Sequence, residues 1–244
     1  MDASVNDYEK AITLKPDYAE AYYNLGVTLR ELGQIDAALK SYEKALAIKH
    51  EYPGAHNNLG NILLDLGSLD SAVDHFEWAV AFKPDYAEAH NNLGVVERKR
   101  KKFDQAIKSF EKAIAIQPNY TQAHYNLGNT LFELGQVETA IKSYEKAIAI
   151  NPDYPEAYLN LGGSFQQLGK VDDAIKFYEK ELAINPNSAE TYDILCNIKK
   201  YTINKKKITK MQSLLSSDKI SLSDRRHLCF ALAKVNENLD NQDE

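Results

Sequence analysis

Three groups of residues in this chain have types and spacings that chemistry uses. His56, His90 and His124 recur every 34 residues, in the manner of a row of metal ligands. Asp17 with Glu20, Asp85 with Glu88, and Asp153 with Glu156 are carboxylate pairs of the kind that share acid–base work. Cys196 and Cys229 supply two thiols. Each group has a plainer reading. Side chains at equivalent places on parallel helices leave axes about 8–10 Å apart, so three imidazoles so placed do not converge at the ~2 Å that a metal demands. Tyr22, Tyr158 and Tyr192 fill the same column, which makes it a packing column. The acid pairs follow the capping-box pattern, as does Asn119 with Gln122, and would satisfy the first amides of a helix. Two cysteines without a metal or redox spacing suit a reducing compartment as small apolar residues, which places the protein in the cytoplasm. Gly-x-Gly-x-x-Gly, P-loop, His-Glu-x-x-His and Cys-x-x-Cys patterns are all missing from the sequence. The expectation is no catalytic residue, no metal and no cofactor.

The elements that carry these residues are set by an internal repeat. Asn-Leu-Gly begins at Asn24, Asn58, Asn92, Asn126 and Asn160, each 34 residues after the last. Ala38, Ala72, Ala106, Ala140 and Ala174 follow in register, then Tyr42, Phe76, Phe110, Tyr144 and Tyr178. Pro16, Pro84, Pro118, Pro152 and Pro186 close the units, with His50 as the exception. Apolar spacing at i, i+3, i+4 and i+7 makes each unit two amphipathic helices of about 13 residues. Gly33, Gly67, Gly135 and Gly169 stand where the first helix must stop. Small residues such as Gly60 and Ala72 allow close helix approach, and large ones such as Tyr42 fill the space beside them.

A period of this length carrying Leu-Gly, Ala, an aromatic and Pro resembles the tetratricopeptide repeat (TPR), over residues 17–186 in five full units. The resemblance implies an all-α, right-handed superhelical solenoid of antiparallel helix pairs, with partial repeats at both ends. Residues 1–16 read as the second helix of a truncated unit. Residues 187–244 read as an irregular sixth unit, a Lys-rich helix from about Asn204 to Ser216, and the start of a further helix pair. Both ends look cut.

In this family the first helices line a concave groove, so the resemblance implies which columns meet a ligand. Asn24, Asn58, Asn92, Asn126 and Asn160 would form an asparagine ladder, similar to that on the repeat arm of O-linked N-acetylglucosamine transferases. An amide offers two donors and two acceptor sites and so can hold an extended peptide backbone, or can bridge neighbouring units instead. Tyr23, Asn57, Asn91, Tyr125 and Leu159 flank the ladder. Asn61 and Asn129, with Val27 and Val95, lie one turn on, followed by Arg30, Leu64, Arg98 and Phe132. The lysine that precedes the ladder asparagine in the chaperone-binding subfamily is replaced here, so no terminal-carboxylate clamp is expected.

Two features break the pattern. Glu97 occupies a column otherwise held by Leu29, Leu63, Leu131 and Phe165, and precedes the basic run Arg98–Lys102. That run is a solvated helix end favoured by the dipole, or a site for an acidic or phosphorylated segment. Trp78, in a lysine column, and His75 on the same face mark a possible contact on the convex side.

The net charge of −6 is uneven. Residues 199–226 carry nine Lys/Arg against two Asp, a net +7, which leaves −13 for the remainder. An acidic body excludes general nucleic-acid binding, which runs on clustered cations. No apolar run is long enough for a membrane span. The expected partner is therefore a protein or an extended peptide, with a homo-oligomer through the cut ends or the Trp78 face as a further possibility. The function that follows is a non-enzymatic binding scaffold. The alternatives are a self-assembly module or the substrate-recruiting arm of a larger glycosyltransferase or sulfotransferase, the latter prompted by a short likeness of Asp224–Lys234 to a segment in bacterial proteins that join such repeats to a sulfotransferase.

Overall fold

The first, second, third and fifth periods each fold as a helix pair because large and small residues meet across one interface. The computed structural model describes residues 3–198 and 201–240, and among these it contains fourteen helices and no strand. Helix α1 spans Ala3–Leu14. The five units follow in chain order: α2 (Ala19–Glu31) and α3 (Ile35–Ile48), α4 (Pro53–Asp65) and α5 (Leu69–Phe82), α6 (Ala87–Lys99) and α7 (Phe103–Ile116), α8 (Thr121–Glu133) and α9 (Val137–Ile150), and α10 (Pro155–Gln167) and α11 (Val171–Ile184). Then come α12 (Ala189–Asn197), α13 (Lys205–Leu215) and α14 (Leu222–Asp240). None of the described helices is long and apolar enough to cross a membrane. The chain divides into two compact units, residues 1–130 and 131–244.

In the first unit, α2, α4 and α6 each pack most extensively on the helix that follows. The repeat aromatics Tyr42, Phe76 and Phe110 are fully buried. Burying such a ring contributes about 1.5–3 kcal/mol, so the aromatic column is a main source of stability. It requires glycine opposite: a Cβ at Gly94 would lie 2.7 Å from the Phe110 ring, closer than carbon atoms pack. The hairpin between the helices needs one left-handed residue. Gly67 supplies it at φ 78°, with Gly67 N–H donating to Leu64 O and Ser68 N–H to Leu63 O. In the third repeat Lys101 takes this place at φ 60°, and the same two bonds form there. A lysine there costs roughly 1–2 kcal/mol that glycine would not.

The helix starts correct one expectation. The N-cap of α2, α4, α6 and α10 is a tyrosine (Tyr18, Tyr52, Tyr86, Tyr154), and none of these makes a side-chain cap bond. The carboxylates of Asp17, Asp85 and Asp153 stand one residue too early to cap. Backbone carbonyls close the first turn instead, as when Tyr18 O accepts from Ala21 and Tyr22.

The second unit ends irregularly. Tyr178, Leu195, Met211, Leu228 and Ala231 share its core. Helix α14 packs chiefly on α12 and less on α13, so it completes the sixth pair, whereas the sequence pattern predicts the opening of a seventh. The physical reason is that Leu228, Ala231 and Val235 give α14 an apolar stripe that covers the short α12. Asn204 caps α13 by accepting from Lys207 N–H, and Ser221 with Asp224 forms a side-chain box at the start of α14. The Glu179 carboxylate holds this segment in place, accepting from the Tyr201 hydroxyl and from Lys207 Nζ at 2.5 Å. Lys199 and Lys200, the first cations of the basic stretch, lie outside the described residues.

Candidate functional site

The asparagine ladder is built into the framework of the first unit. Asn58 Nδ2 donates to Tyr23 Oη at 3.3 Å and to Tyr42 Oη at 3.4 Å. Asn92 Nδ2 donates to Asn57 Oδ1, and Asn126 Nδ2 to Asn91 Oδ1, each at 3.0 Å. Asn58, Asn92 and Asn126 thus each reach the column just before the ladder in the preceding repeat. Asn91 Nδ2 then donates to Asn92 Oδ1, and Asn57 Nδ2 to Glu88 Oε1. The result is a continuous amide chain, Asn126 to Asn91 to Asn92 to Asn57, ending on the Glu88 carboxylate.

The flanking column therefore splits. Asn57 is 0% and Asn91 6% exposed, so both are structural and neither offers a group to a ligand. Tyr23 and Tyr125 are half-buried. Asn24 is exposed and makes no side-chain hydrogen bond among the described residues, while Asn58, Asn92 and Asn126 are half-buried. Asn61, Leu64, Arg98 and Asn129 are half-buried too. Arg30 reaches toward Asp65 at 3.9 Å, a loose pair between neighbouring repeats. In the second unit Phe132, Leu159 and Asn160 are half-buried, and Leu159 packs on the core there.

A row of tyrosines at the helix starts accompanies the ladder. The Tyr23 ring lies 4.9 Å from Tyr52, and burial pushes the Tyr52 and Tyr86 hydroxyls up to about 12. Lys15, Lys49 and Lys83 stand 5.1, 4.9 and 4.8 Å above Tyr18, Tyr52 and Tyr86. The signal for this row is in the sequence, where the tyrosine recurs at the same interval as the ladder. Sequence reasoning misses it by treating the tyrosine as a spacer inside a capping box.

The third repeat is anomalous in a defined way. Glu97 is 8% exposed and accepts from Ser109 Oγ at 3.0 Å. Burial raises its carboxyl above the usual range and nearby Glu77 adds to this, while Ser109, Lys102 and Arg100 oppose it. Within the basic run, Arg100 pairs with Asp70 at 2.8 Å, and Lys99, Lys101 and Lys102 are exposed.

The histidine column holds the loops. His56, His90 and His124 each set Nε2 at 2.9–3.0 Å from the backbone carbonyl six residues back, at His50, Pro84 and Pro118. Tyr192 reaches Pro186 O in the same manner. Among the described residues no group of three potential ligands comes together as a metal site would. Trp78 is exposed, and His75 is half-buried with Nδ1 2.9 Å from His56 Nδ1.

Known proteins share this arrangement of helix pairs. Family models of the TPR repeat match residues 1–30, 27–67, 60–97, 95–135 and 128–169, and a tetratricopeptide repeat model matches residues 155–188. A crystal structure of MamA is 29% identical, with 68% of this chain and 96% of that chain covered at a TM-score of 0.62. TTC0263, a thermophilic TPR protein of Thermus thermophilus, is 28% identical over 71% of this chain and 94% of its own, at 0.57. YrrB, a TPR protein with an unusual peptide-binding site, is 23% identical over 74% of this chain and 93% of its own, at 0.62, a likeness of fold alone. No curated protein matches this chain.

Proposed function

Since the chain belongs to the tetratricopeptide repeat family, we propose that it is a non-enzymatic scaffold that binds an extended segment of a partner protein along its first helices. One observation carries this reading. Asn58, Asn92 and Asn126 bridge adjacent repeats through Nδ2 yet are only half-buried, while Asn24 is exposed. An amide can make four hydrogen bonds, so each ladder residue keeps capacity for a ligand beyond its structural bond. Tyr23, Asn61, Leu64, Arg30 and Arg98 supply the surrounding aromatic, polar, apolar and cationic groups, Tyr125 and Asn129 hold the same columns later in the first unit, and Phe132 and Asn160 hold the equivalent repeat positions within the second. The two free thiols, Cys196 and Cys229, favour a reducing, cytoplasmic setting.

The experiment uses amides on the first helices that make no side-chain hydrogen bond among the described residues, Asn24 on the ladder and Asn61 one turn beyond it. Peptides that bind are selected from an immobilised random array, and their affinity is then measured for Asn24→Ala and Asn61→Ala, which disturb no internal bond. A loss of about tenfold with unchanged melting temperature supports the ladder; unchanged affinity in both variants rejects it.

A further inference from the structure

The repeat provides its own control for what the fold requires. Around α5 the chain departs from the repeat at five positions, four on α5 and one, His50, at the close of the unit before it. Asp74 replaces Lys40, Lys108, Lys142 and Lys176 of the other units, and Trp78 replaces Lys44, Lys112, Lys146 and Lys180. His75 stands where Ser41, Ser109 and Ser143 do, Phe82 where the other units have isoleucine, and His50 where they have proline. The same hairpin forms without any of these residues, so folding does not demand them. The exchange also reverses a charge. Helices α3, α7 and α9 each carry two lysines against two acids, whereas α5 carries Asp70, Asp74 and Glu77 and no Lys or Arg.

These departures come together in space. The Trp78 ring stacks on Phe82 at 5.5 Å and 17°, and His50 meets both edge-on at 5.1 and 5.4 Å. Trp78 is 46% exposed, and His50, Asp74 and Glu77 are exposed. Trp78 lies four residues beyond Asp74 and three beyond His75, so both neighbour it on the helix surface. The histidine pair fixes the chemistry that His75 presents. His56 Nε2 faces the His50 carbonyl, which only accepts, so His56 carries its proton on Nε2. Burial depresses His56 to about 4, so the ring is neutral near pH 7 and its Nδ1 is an acceptor. His75 must therefore donate through Nδ1, which leaves neutral His75 with an acceptor at Nε2 that no group among the described residues uses.

We propose that the outer face of α5, formed by Asp74, His75 and Trp78 beside His50, is a second interaction surface that takes an arginine side chain of a partner protein. A guanidinium matches all three groups at once. Its plane stacks on the indole, and its forked N–H groups donate to the Asp74 carboxylate and to His75 Nε2. A lysine ammonium offers charge without the plane or the fork. The surface is independent of the ladder.

Trp78 is the sole tryptophan, so its emission reports on this surface directly. The blocked peptide Gly-Arg-Ala-Arg-Gly is titrated against the whole chain, beside its lysine and glutamate counterparts. The expected result is a saturable emission change with the arginine peptide, about tenfold weaker with lysine and none with glutamate. Asp74→Lys restores a residue that the other repeats carry and breaks no internal bond, whereas His75→Ser also removes the donor to His56 Nδ1 and is read beside its melting temperature; each weakens arginine binding about tenfold. Equal response to lysine overturns the guanidinium assignment. No saturable change, or equal binding by Asp74→Lys, overturns the surface. An emission shift on raising protein concentration without peptide gives the face to a second copy and overturns the proposal as well.

Discussion

The second and third repeats reach the same backbone with different materials. In α4–α5 the hairpin closes through Leu63 and Gly67, and the departures from the pattern are the Asp74 carboxylate and a cluster of rings on and beside α5. In α6–α7 the equivalent places hold Glu97 and Lys101, and the departures are charges at the hairpin and in the interface beneath it. Both keep the pair of a glycine and a buried aromatic, Gly60 with Phe76 and Gly94 with Phe110, at nearly equal approach. The shared pair is what the fold needs. Where one repeat differs from its neighbours in residues the fold does not need, the difference points to something other than folding.

The largest test of that contrast removes the shared part. Phe76→Ala and Phe110→Ala should each cost about 3–5 kcal/mol in urea unfolding, and a gap between them well above ~1 kcal/mol would break the claim of a common scaffold. Next comes the buried carboxyl. Glu97→Leu should stabilise by about 1–3 kcal/mol at neutral pH, the cost of burying an ill-matched polar group, and Leu63→Glu should lose a comparable amount. The pH dependence has a definite sign. A carboxyl raised in the folded state binds its proton more tightly there, so the contribution of Glu97 to stability is greatest below the ordinary glutamate range. It falls as pH rises through the raised value. The advantage of Glu97→Leu should thus be smallest in acid and complete above that value; an advantage that grows on acidification would refute the assignment.

A smaller effect belongs to the hairpin residue. Lys101→Gly should raise stability by about 1 kcal/mol, and Gly67→Ala should lower it by about as much, both read by thermal unfolding. The smallest is the ion pair between the two repeats. Asp70 is 88% exposed, so Asp70→Asn should change stability by at most about 1 kcal/mol, and less in high salt.

The repeat period alone places the ten helices of the five units, because 34-residue identity decides which side chains meet whatever their propensities. The close glycine–aromatic pairs and the left-handed glycines are legible for the same reason. The helix starts are not. Asp-Tyr-Ala-Glu has the letters of a capping box, and only the backbone shows that the helix begins after the tyrosine. The tail misleads because the apolar stripe of α14 fits a first helix as well as a second, and sequence spacing does not say that α12 needs cover. At the ladder, residue types and spacing alone suit bridging and ligand binding alike. The bonds from Asn92 to Asn57 and from Asn126 to Asn91 decide for bridging as a fact, and leave the spare valences of the half-buried amides as the basis for binding.

The amide chain from Asn126 to Glu88 has a direction. Every link runs nitrogen to oxygen, and the carboxylate at its end, which only accepts when ionised, sets the orientation of all the others. Such a chain registers the loss of a single nitrogen atom. Hydrolysis of Asn57, Asn91 or Asn92 to aspartate replaces a donor by an oxygen and leaves two acceptors opposed in a seam between repeats that holds the buried Asn57 and Asn91. Chemical ageing at any one of these sites would therefore be felt along α4, α6 and α8 together, and asparagine variants within the chain would confuse a loss of ligand with a loss of alignment.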